Sequence, residues 1–144
     1  MTKKKNLKIV LDTNWYVSAS INRNSRRRLY ELLVNENLKI FASRELIQEY
    51  LAVISRNKFE KYIRQDQAMR FLTLLLSKIK LIELKTPVQL SNDPKDNFLL
   101  SICADCNADY LITGDPDLLE IGKFGKTEMV TMTGFERVIA SGAE

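Results

Sequence analysis

Two short apolar runs end in polar turns that carry an aspartate, and this pattern restricts the fold more than any other feature of the chain. Leu7–Leu11 is followed directly by Asp12, and Tyr110–Ile112 is followed within three residues by Asp115. Short runs that are rich in β-branched and other apolar residues are typical of buried strands. Both aspartates are therefore expected to follow the carboxyl end of a strand.

Helical patterns separate these strands from one another. Further strands are predicted over residues 38–42, 80–84 and 126–131, and helices over 15–19, 26–35, 44–54, 65–77, 94–106, 116–119 and 133–140. Ser25 and Ser43 are the predicted N-caps of the second and third of these helices. Alternating strands and helices predict an α/β fold with a mainly parallel sheet and helices on both faces. A length of 144 residues is typical of one domain, so residues 1–144 are expected to form a single unit.

Three acids are predicted to meet at one edge of this sheet. The carboxyl ends of parallel strands share an edge, and ligands bind there in open α/β sheets, so Asp12 and Asp115 should lie close together. Asp93 fits an N-cap, Pro94 the first helical position and Asp96 the third, in a helix that returns to the sheet from the same edge. Each acid alone has an ordinary explanation as a turn residue, a first-turn acid or a cap. Their joint placement predicts a functional cluster.

The chain contains no histidine, which excludes Ser-His-Asp and Cys-His catalysis and zinc bound by histidine. Its two cysteines, Cys103 and Cys106, have no further cysteine or histidine with which to complete a zinc site. They fall late in a predicted helix and are interpreted as small apolar residues rather than as a redox pair. Hydrolytic chemistry would therefore depend on carboxylates and metal ions, or on Lys, Tyr or the two thiols.

Clustered carboxylates need a compensating cation. Two unit charges about 4 Å apart repel by roughly 4 kcal/mol at an effective dielectric constant of ~20. Mg²⁺ and Mn²⁺ prefer carboxylate oxygens and water, and they need no His or Cys ligand. The acidic edge is therefore predicted to bind Mg²⁺ or Mn²⁺ and to use metal-activated water against a phosphoryl group.

Four segments, in order along nearly the whole chain, resemble the motifs of PIN-domain proteins. They are Leu7–Asn14, Ser43–Tyr50, Asp93–Asn97 and Ala108–Leu119. The chain is most similar to the toxin components of bacterial toxin–antitoxin pairs within that family. Asn97 departs from the pattern, because relatives often carry another acid at its position.

The resemblance implies a three-layer α/β/α domain that cleaves RNA with Mg²⁺ or Mn²⁺, binds a small antitoxin protein and forms a homodimer. It implies that Asp12, Glu49, Asp96 and Asp115 bind the metal, that Asp117 assists through water, and that Asn14 and Thr113 support the site by hydrogen bonds. The assignment of Glu49 as a metal ligand rests on the resemblance alone, because periodicity places Glu49 on the flank of its helix and Glu45 lies one turn earlier.

Two other functions remain open at this stage. A haloacid-dehalogenase-type phosphatase also begins with a strand followed by Asp, but it needs a second acid two residues later, where this chain has Asn14. A non-catalytic RNA-binding or protein-binding module of the same fold is the third possibility. The retained motif acids favour the nuclease over both.

Charge is distributed unevenly along the chain. Residues 1–30 hold eight Lys or Arg and one acid, whereas residues 91–144 hold four Lys or Arg and ten acids. A basic segment beside an acidic one suits a polyanionic partner, and Arg23, Arg26, Arg27 and Arg28 are candidates for contacts to the RNA backbone. Lys3–Lys5 are expected to form a mobile tail.

No apolar run is long enough for a membrane span or a signal peptide, so a cytoplasmic protein without a membrane partner is expected.

Overall fold

The two apolar runs that end in aspartates form neighbouring strands in the middle of a six-stranded sheet. The computed structural model describes residues 6–90 and 93–142, apart from the side chain of Asn57. The expected tail Lys3–Lys5 lies outside these residues. The strands are β1 (Leu7–Leu11), β2 (Leu38–Ser43), β3 (Lys80–Ile82), β4 (Tyr110–Ile112), β5 (Lys123–Phe124) and β6 (Thr127–Val130).

Seven α-helices occur in the described part of the chain. They are α1 (Thr13–Ile21), α2 (Arg23–Leu33), α3 (Arg44–Ile54), α4 (Gln65–Lys78), α5 (Pro94–Cys106), α6 (Pro116–Ile121) and α7 (Met132–Ala140). A short 3₁₀ helix over Asn57–Tyr62, which the sequence pattern did not predict, joins α3 to α4. No helix in the described residues is both long and apolar enough to span a membrane.

The sheet order is β3-β2-β1-β4-β6-β5, and every pair is parallel except β5 with β6. The prediction of a mainly parallel α/β fold is therefore confirmed. The chain moves outward from β1 to β3 and then returns to place β4 on the other side of β1. The strand order thus reverses between β1 and β4, and such a reversal opens a crevice at the carboxyl edge of a parallel sheet.

Right-handed crossovers distribute the helices between the two faces of the sheet. The helices that connect β1, β2 and β3 cover one face, whereas α5, whose connection runs in the opposite direction, covers the other. Arg28 of α2 forms an ion pair with Glu136 of α7 at 2.7 Å, which holds α7 beside the first group. The sheet is buried between these layers, with Ile9, Val10 and Leu111 fully inaccessible.

Several boundaries differ from the sequence predictions. Asn22, not Ser25, is the N-cap of α2, since its side chain accepts a hydrogen bond from the Ser25 N–H at 3.1 Å. The arginine-rich first turn of α2 has no apolar periodicity, so the pattern missed this start. The predicted strand over 126–131 is present as β6, but the sequence pattern missed β5, which pairs with it in a hairpin where Gly125 adopts φ +60 as the first residue of a two-residue turn. β3 ends at Ile82 rather than at residue 84.

Candidate active site

The candidate site begins where β1 and β4 end side by side. Leu11 is paired with Ile112, and the Asp12 N–H donates to the Ile112 carbonyl at 3.0 Å. The next residues of both strands therefore emerge at the same edge, at the point where the strand order reverses. Asp12 caps α1 and Asp115 caps α6, so both aspartates also face a helix N-terminus. At each helix end the aspartate side chain accepts a backbone N–H, from Asn14 for Asp12 and from Asp117 for Asp115.

The Asp12 carboxylate is held at both of its oxygens. Its Oδ1 accepts from the backbone N–H of Asn14 at 3.1 Å, and its Oδ2 accepts from the Thr113 hydroxyl at 2.7 Å. Thr113 is fully buried, and its Oγ1 in turn accepts from the Asp115 N–H at 3.0 Å. One threonine thus ties the turn after β4 to the acid after β1. Asn14 contributes its backbone N–H to this arrangement.

The N-terminal turn of α5 supplies two more acids. Asp93 caps the helix and its Oδ1 accepts from the Lys95 N–H at 2.9 Å, while Asp96 lies in the first turn and is only 3% exposed. This local structure matches the sequence prediction for Asp93, Pro94 and Asp96. A cap and the residue three positions later lie at the same end of a helix, so both carboxylates are directed to the carboxyl edge of the sheet.

Asp93, Asp96 and Asp115 form a group that could hold a metal ion. One carboxylate oxygen from each lies within 4.8 Å of one from each of the others. Sequence reasoning assigned Asp93 only the role of a helix cap and did not include it among the metal ligands. The signal was available, because an N-cap acid three residues before a site acid shares its helix end.

A cavity of about 390 Å³ connects this group to the other predicted acids. The acidic side chains that line it are Asp12, Glu45, Glu49, Asp93, Asp96 and Asp115. The structure therefore brings the four predicted ligands together with Asp93. Glu45 and Glu49 both line the cavity from α3, so either glutamate is positioned to serve as a ligand.

Lys95 is the one basic side chain that lines this cavity among the residues that the structure describes. Its Nζ lies 3.5 Å from Oε1 of Glu49, and both side chains are substantially exposed. This contact bridges α5 and α3 across the cavity. Asp117 lies apart from the cavity lining, in the exposed first turn of α6, where its N–H donates to Oδ1 of Asp115 at 2.9 Å.

The four candidate arginines separate into two groups. Arg23, Arg26 and Arg27 line an open groove on α2, away from the acidic cavity. Arg28 instead forms the ion pair with Glu136, and its guanidinium lies 5.5 Å from the ring centroid of Trp15. The side chain of Arg28 is therefore engaged within the fold.

The two cysteines lie at the end of α5, and both are free and buried. Burial raises the pKa of the Cys106 thiol to about 11 and raises that of Cys103 further. Since the thiolate is the reactive form of cysteine, these residues have the character of core side chains.

Comparison with known proteins identifies the family. A family model described as a PIN domain matches residues 8–117, a segment that runs from β1 into α6 and contains every acid of the cavity. The chain belongs to the PIN domain family. The resemblance of the four sequence motifs to this family is thus confirmed. PIN domains are nuclease domains that generally use divalent metal ions.

Two individual proteins illustrate the range of this similarity. The uncharacterized protein MJ1680 of Methanocaldococcus jannaschii is 27% identical over 121 residues, which cover 83% of this chain and 77% of that protein. The crystal structure of VapBC2 from Rickettsia felis, determined with a DNA fragment from the VapBC2 promoter, contains a chain that superposes on this protein with a TM-score of 0.58. That match has 20% sequence identity and covers 87% of this chain and 98% of the other, so it shows a shared PIN fold.

The cavity fits the divalent ion that this family uses. Its ionisable side chains other than Lys95 are all carboxylates, which are hard oxygen donors. Three of them already lie within reach of a single ion. The buried Asp96 and Asp12 also lack the solvent that would otherwise screen their repulsion, so a bound cation would stabilise the assembled site.

Proposed function

We propose that this chain is a metal-dependent endoribonuclease that hydrolyses RNA phosphodiester bonds and acts as the toxin of a toxin–antitoxin pair. The observation that carries the proposal is the convergence of Asp12, Asp93, Asp96 and Asp115 on one cavity at the strand-order reversal. Membership of a nuclease family supports the phosphodiester substrate class.

Asp93, Asp96 and Asp115 would hold Mg²⁺ or Mn²⁺, together with Asp12 and with Glu49 or Glu45 from α3. When bound, the ion supplies Lewis-acid stabilisation of phosphoryl charge and lowers the pKa of water. The protein's own contribution is to hold the carboxylates in position before substrate arrives. Thr113 keeps Asp12 oriented, since its hydroxyl donates to one carboxylate oxygen while the Asn14 N–H donates to the other. Asp117 would act at most on the outer side of the site, through water.

Lys95 has a separate role in this proposal. Its ammonium group balances part of the negative charge of the cavity and forms the contact with Glu49. A scissile phosphate that enters the cavity carries negative charge toward a region rich in acids. Lys95 is placed to offset that repulsion, and its exposed stem can follow the phosphate because the contact with Glu49 is weak at an exposed position.

RNA cleavage with and without a chelator tests the nuclease activity. Wild-type protein should cleave single-stranded and structured RNA with Mn²⁺ or Mg²⁺, lose the activity in EDTA and regain it when the ion is restored. Asp96→Asn should remove cleavage, whereas Glu120→Gln, an exposed acid of α6 outside the cavity, should retain it. Bound but uncleaved RNA with either ion would instead support a non-catalytic binding module. Hydrolysis of a phosphomonoester with a trapped phospho-Asp12 would support the phosphatase.

The toxin role rests on the sequence resemblance and on the shared fold with a chain of VapBC2, which was crystallised on promoter DNA. It predicts a small antitoxin protein encoded beside this chain, a homodimer in solution and a cytoplasmic site of action. Expression of the wild type should arrest growth, co-expression of the neighbouring small protein should restore it, and Asp96→Asn should be harmless alone. Growth arrest by Asp96→Asn would contradict toxicity by RNA cleavage.

A further inference from the structure

A second cavity, larger and more open than the acidic one, lies between α2 and α4. Its volume is about 1060 Å³, and four arginines line it: Arg23, Arg26 and Arg27 from α2, and Arg70 from α4. None of the described residues that line it is acidic. A groove with basic side chains on both walls and no acid between them attracts a polyanion.

The guanidinium groups of this groove are mostly available to a ligand. Arg23 and Arg27 are exposed, and Arg27 makes a 3.3 Å hydrogen bond to the neutral side chain of Asn24. Arg70 has a 3.7 Å contact with Asp66 on its own helix, but both side chains are largely exposed and such pairs contribute little. Arg26 is tied more firmly, since its Nη1 donates to the carbonyl of Ala19 at 3.0 Å. It therefore links the groove to the end of α1.

We propose that this groove binds the phosphodiester backbone of single-stranded RNA, as a site separate from the cleavage centre. This inference rests on the proposed function for the identity of the nucleic acid. Arg23, Arg27 and Arg70 would contact phosphates, which gives affinity without base selection. Tyr30, with 48% of its surface exposed on the α2 wall, offers a ring on which an unpaired base can stack.

The chemistry of the groove favours RNA over an acidic polypeptide. An amphipathic acidic helix needs an apolar strip to cover, as well as basic partners. Phe71 is buried and Leu74 half-buried, so among the described lining residues the exposed ring of Tyr30 is the one large apolar side chain that a ligand can cover. A single exposed ring suits one stacked base better than the continuous apolar face of a helix. The amides of Asn24 and Gln67 add hydrogen-bonding groups suited to phosphates and base edges.

The position of the groove predicts how substrate length should matter. Helix α1 begins at Thr13, which lines the acidic cavity, and ends at Ile21, next to the groove. Nine helical residues span about 14 Å at roughly 1.5 Å each. At roughly 3.4 Å for each stacked nucleotide, that distance corresponds to about four nucleotides. RNA that extends about four or more nucleotides beyond the cleaved bond should therefore benefit from the groove.

Binding measured in EDTA tests this site without any dependence on catalysis. Fluorescence anisotropy with a labelled single-stranded RNA 12-mer compares the wild type with Arg23→Gln/Arg27→Gln/Arg70→Gln. The control is Arg56→Gln/Arg64→Gln/Arg137→Gln, which removes the same charge from exposed arginines outside the groove. The slope of log affinity against log salt should fall by about two in the groove variant, at roughly 0.7 for each lost phosphate contact, and by less than one in the control. Equal losses in both variants would overturn the proposal.

Two further arms separate this inference from the proposed function. Hydrolysis of bis(p-nitrophenyl) phosphate, which is too small to reach the groove, should be unchanged in the groove variant, whereas cleavage of the 12-mer should fall about tenfold or more. Polyglutamate should compete weakly for the labelled RNA. Displacement by polyglutamate as effective as that by unlabelled RNA would overturn the RNA assignment in favour of an acidic polypeptide. Absence of hydrolysis in every variant, with RNA binding still dependent on the groove, would reject the nuclease while keeping the binding site.

Discussion

Thr113 donates a 2.7 Å hydrogen bond from its hydroxyl to Oδ2 of Asp12, across 101 positions of sequence. The hydroxyl oxygen of Thr113 also accepts a hydrogen bond from the N–H of Asp115 at 3.0 Å. Because a hydroxyl has one proton, these two bonds determine its direction: the proton points to Asp12 and a lone pair faces Asp115. A buried neutral side chain thereby sets the spacing of the two acids that follow β1 and β4.

Thr113→Val should damage the site while keeping the shape of the side chain. It removes the hydrogen bonds of Thr113 to Oδ2 of the buried Asp12 and to the Asp115 N–H, so we expect a loss of about 1–3 kcal/mol in the free energy of unfolding. Metal affinity or activity should fall about 10–100-fold, as is usual when a group that orients a ligand is removed. Denaturant unfolding and Mn²⁺ titration calorimetry would measure the two effects. Thr113→Ser retains the hydroxyl and should recover most of both; failure of the serine variant would mean that the methyl group, not the hydrogen bond, matters.

Asp96→Asn and Asp93→Asn should make the metal-free protein as stable as the wild type or more stable. Charges about 5 Å apart repel by roughly 3 kcal/mol at an effective dielectric constant of ~20, so removing one relieves the group. Asn at position 93 remains a good N-cap, which keeps α5 intact. Thermal melts in EDTA would measure this, with Glu120→Gln as the control. Added Mn²⁺ should raise the melting temperature of the wild type, and it should raise that of either variant much less. Strong destabilisation of both variants in EDTA would argue against a repulsive cluster.

Lys95→Met should strengthen metal binding. Removal of the ammonium group frees Glu49 and takes a positive charge from the cavity rim. An exposed ion pair contributes about 0.5 kcal/mol, which corresponds to roughly a twofold gain in Mn²⁺ affinity by calorimetry. Lys123→Met, at an exposed position on β5, should leave the affinity unchanged. Weaker Mn²⁺ binding by Lys95→Met would show that Lys95 organises the site rather than competing with the ion.

The Arg28–Glu136 pair should make stability depend on pH. The hydrogen bond from Arg28 holds the pKa of the Glu136 carboxyl below its usual value. A group whose pKa is lowered on folding stabilises the protein above its unfolded pKa, near pH ~4.3, and loses that contribution as the pH falls through its folded value. The free energy of unfolding of the wild type should therefore exceed that of Glu136→Gln by up to about 1 kcal/mol above pH ~5, and this difference should shrink toward pH ~3. Urea unfolding at a series of pH values would measure it. A difference that grows in acid would contradict the assigned sign.

Local structure near the site was largely predictable from sequence. The caps Asp93, Asp115 and Ser43 were visible because capping depends on residues within three positions of one another. The start of α2 and strand β5 were missed, because the first has a charged turn without apolar periodicity and the second is only two residues long. Such short elements are stabilised by neighbours that are distant in sequence.

The sequence by itself determined that Asp12, Asp96 and Asp115 share the carboxyl edge of a parallel sheet. That conclusion needs only strand ends, one helix start and the handedness of crossovers, all of which follow from local pattern. The tertiary structure alone decided that Lys95 reaches Glu49, and that Arg70 joins the α2 arginines while Arg28 pairs with Glu136. These contacts depend on how helices pack against one another, where a rotation of one residue changes which side chains meet, and no local pattern specifies that rotation.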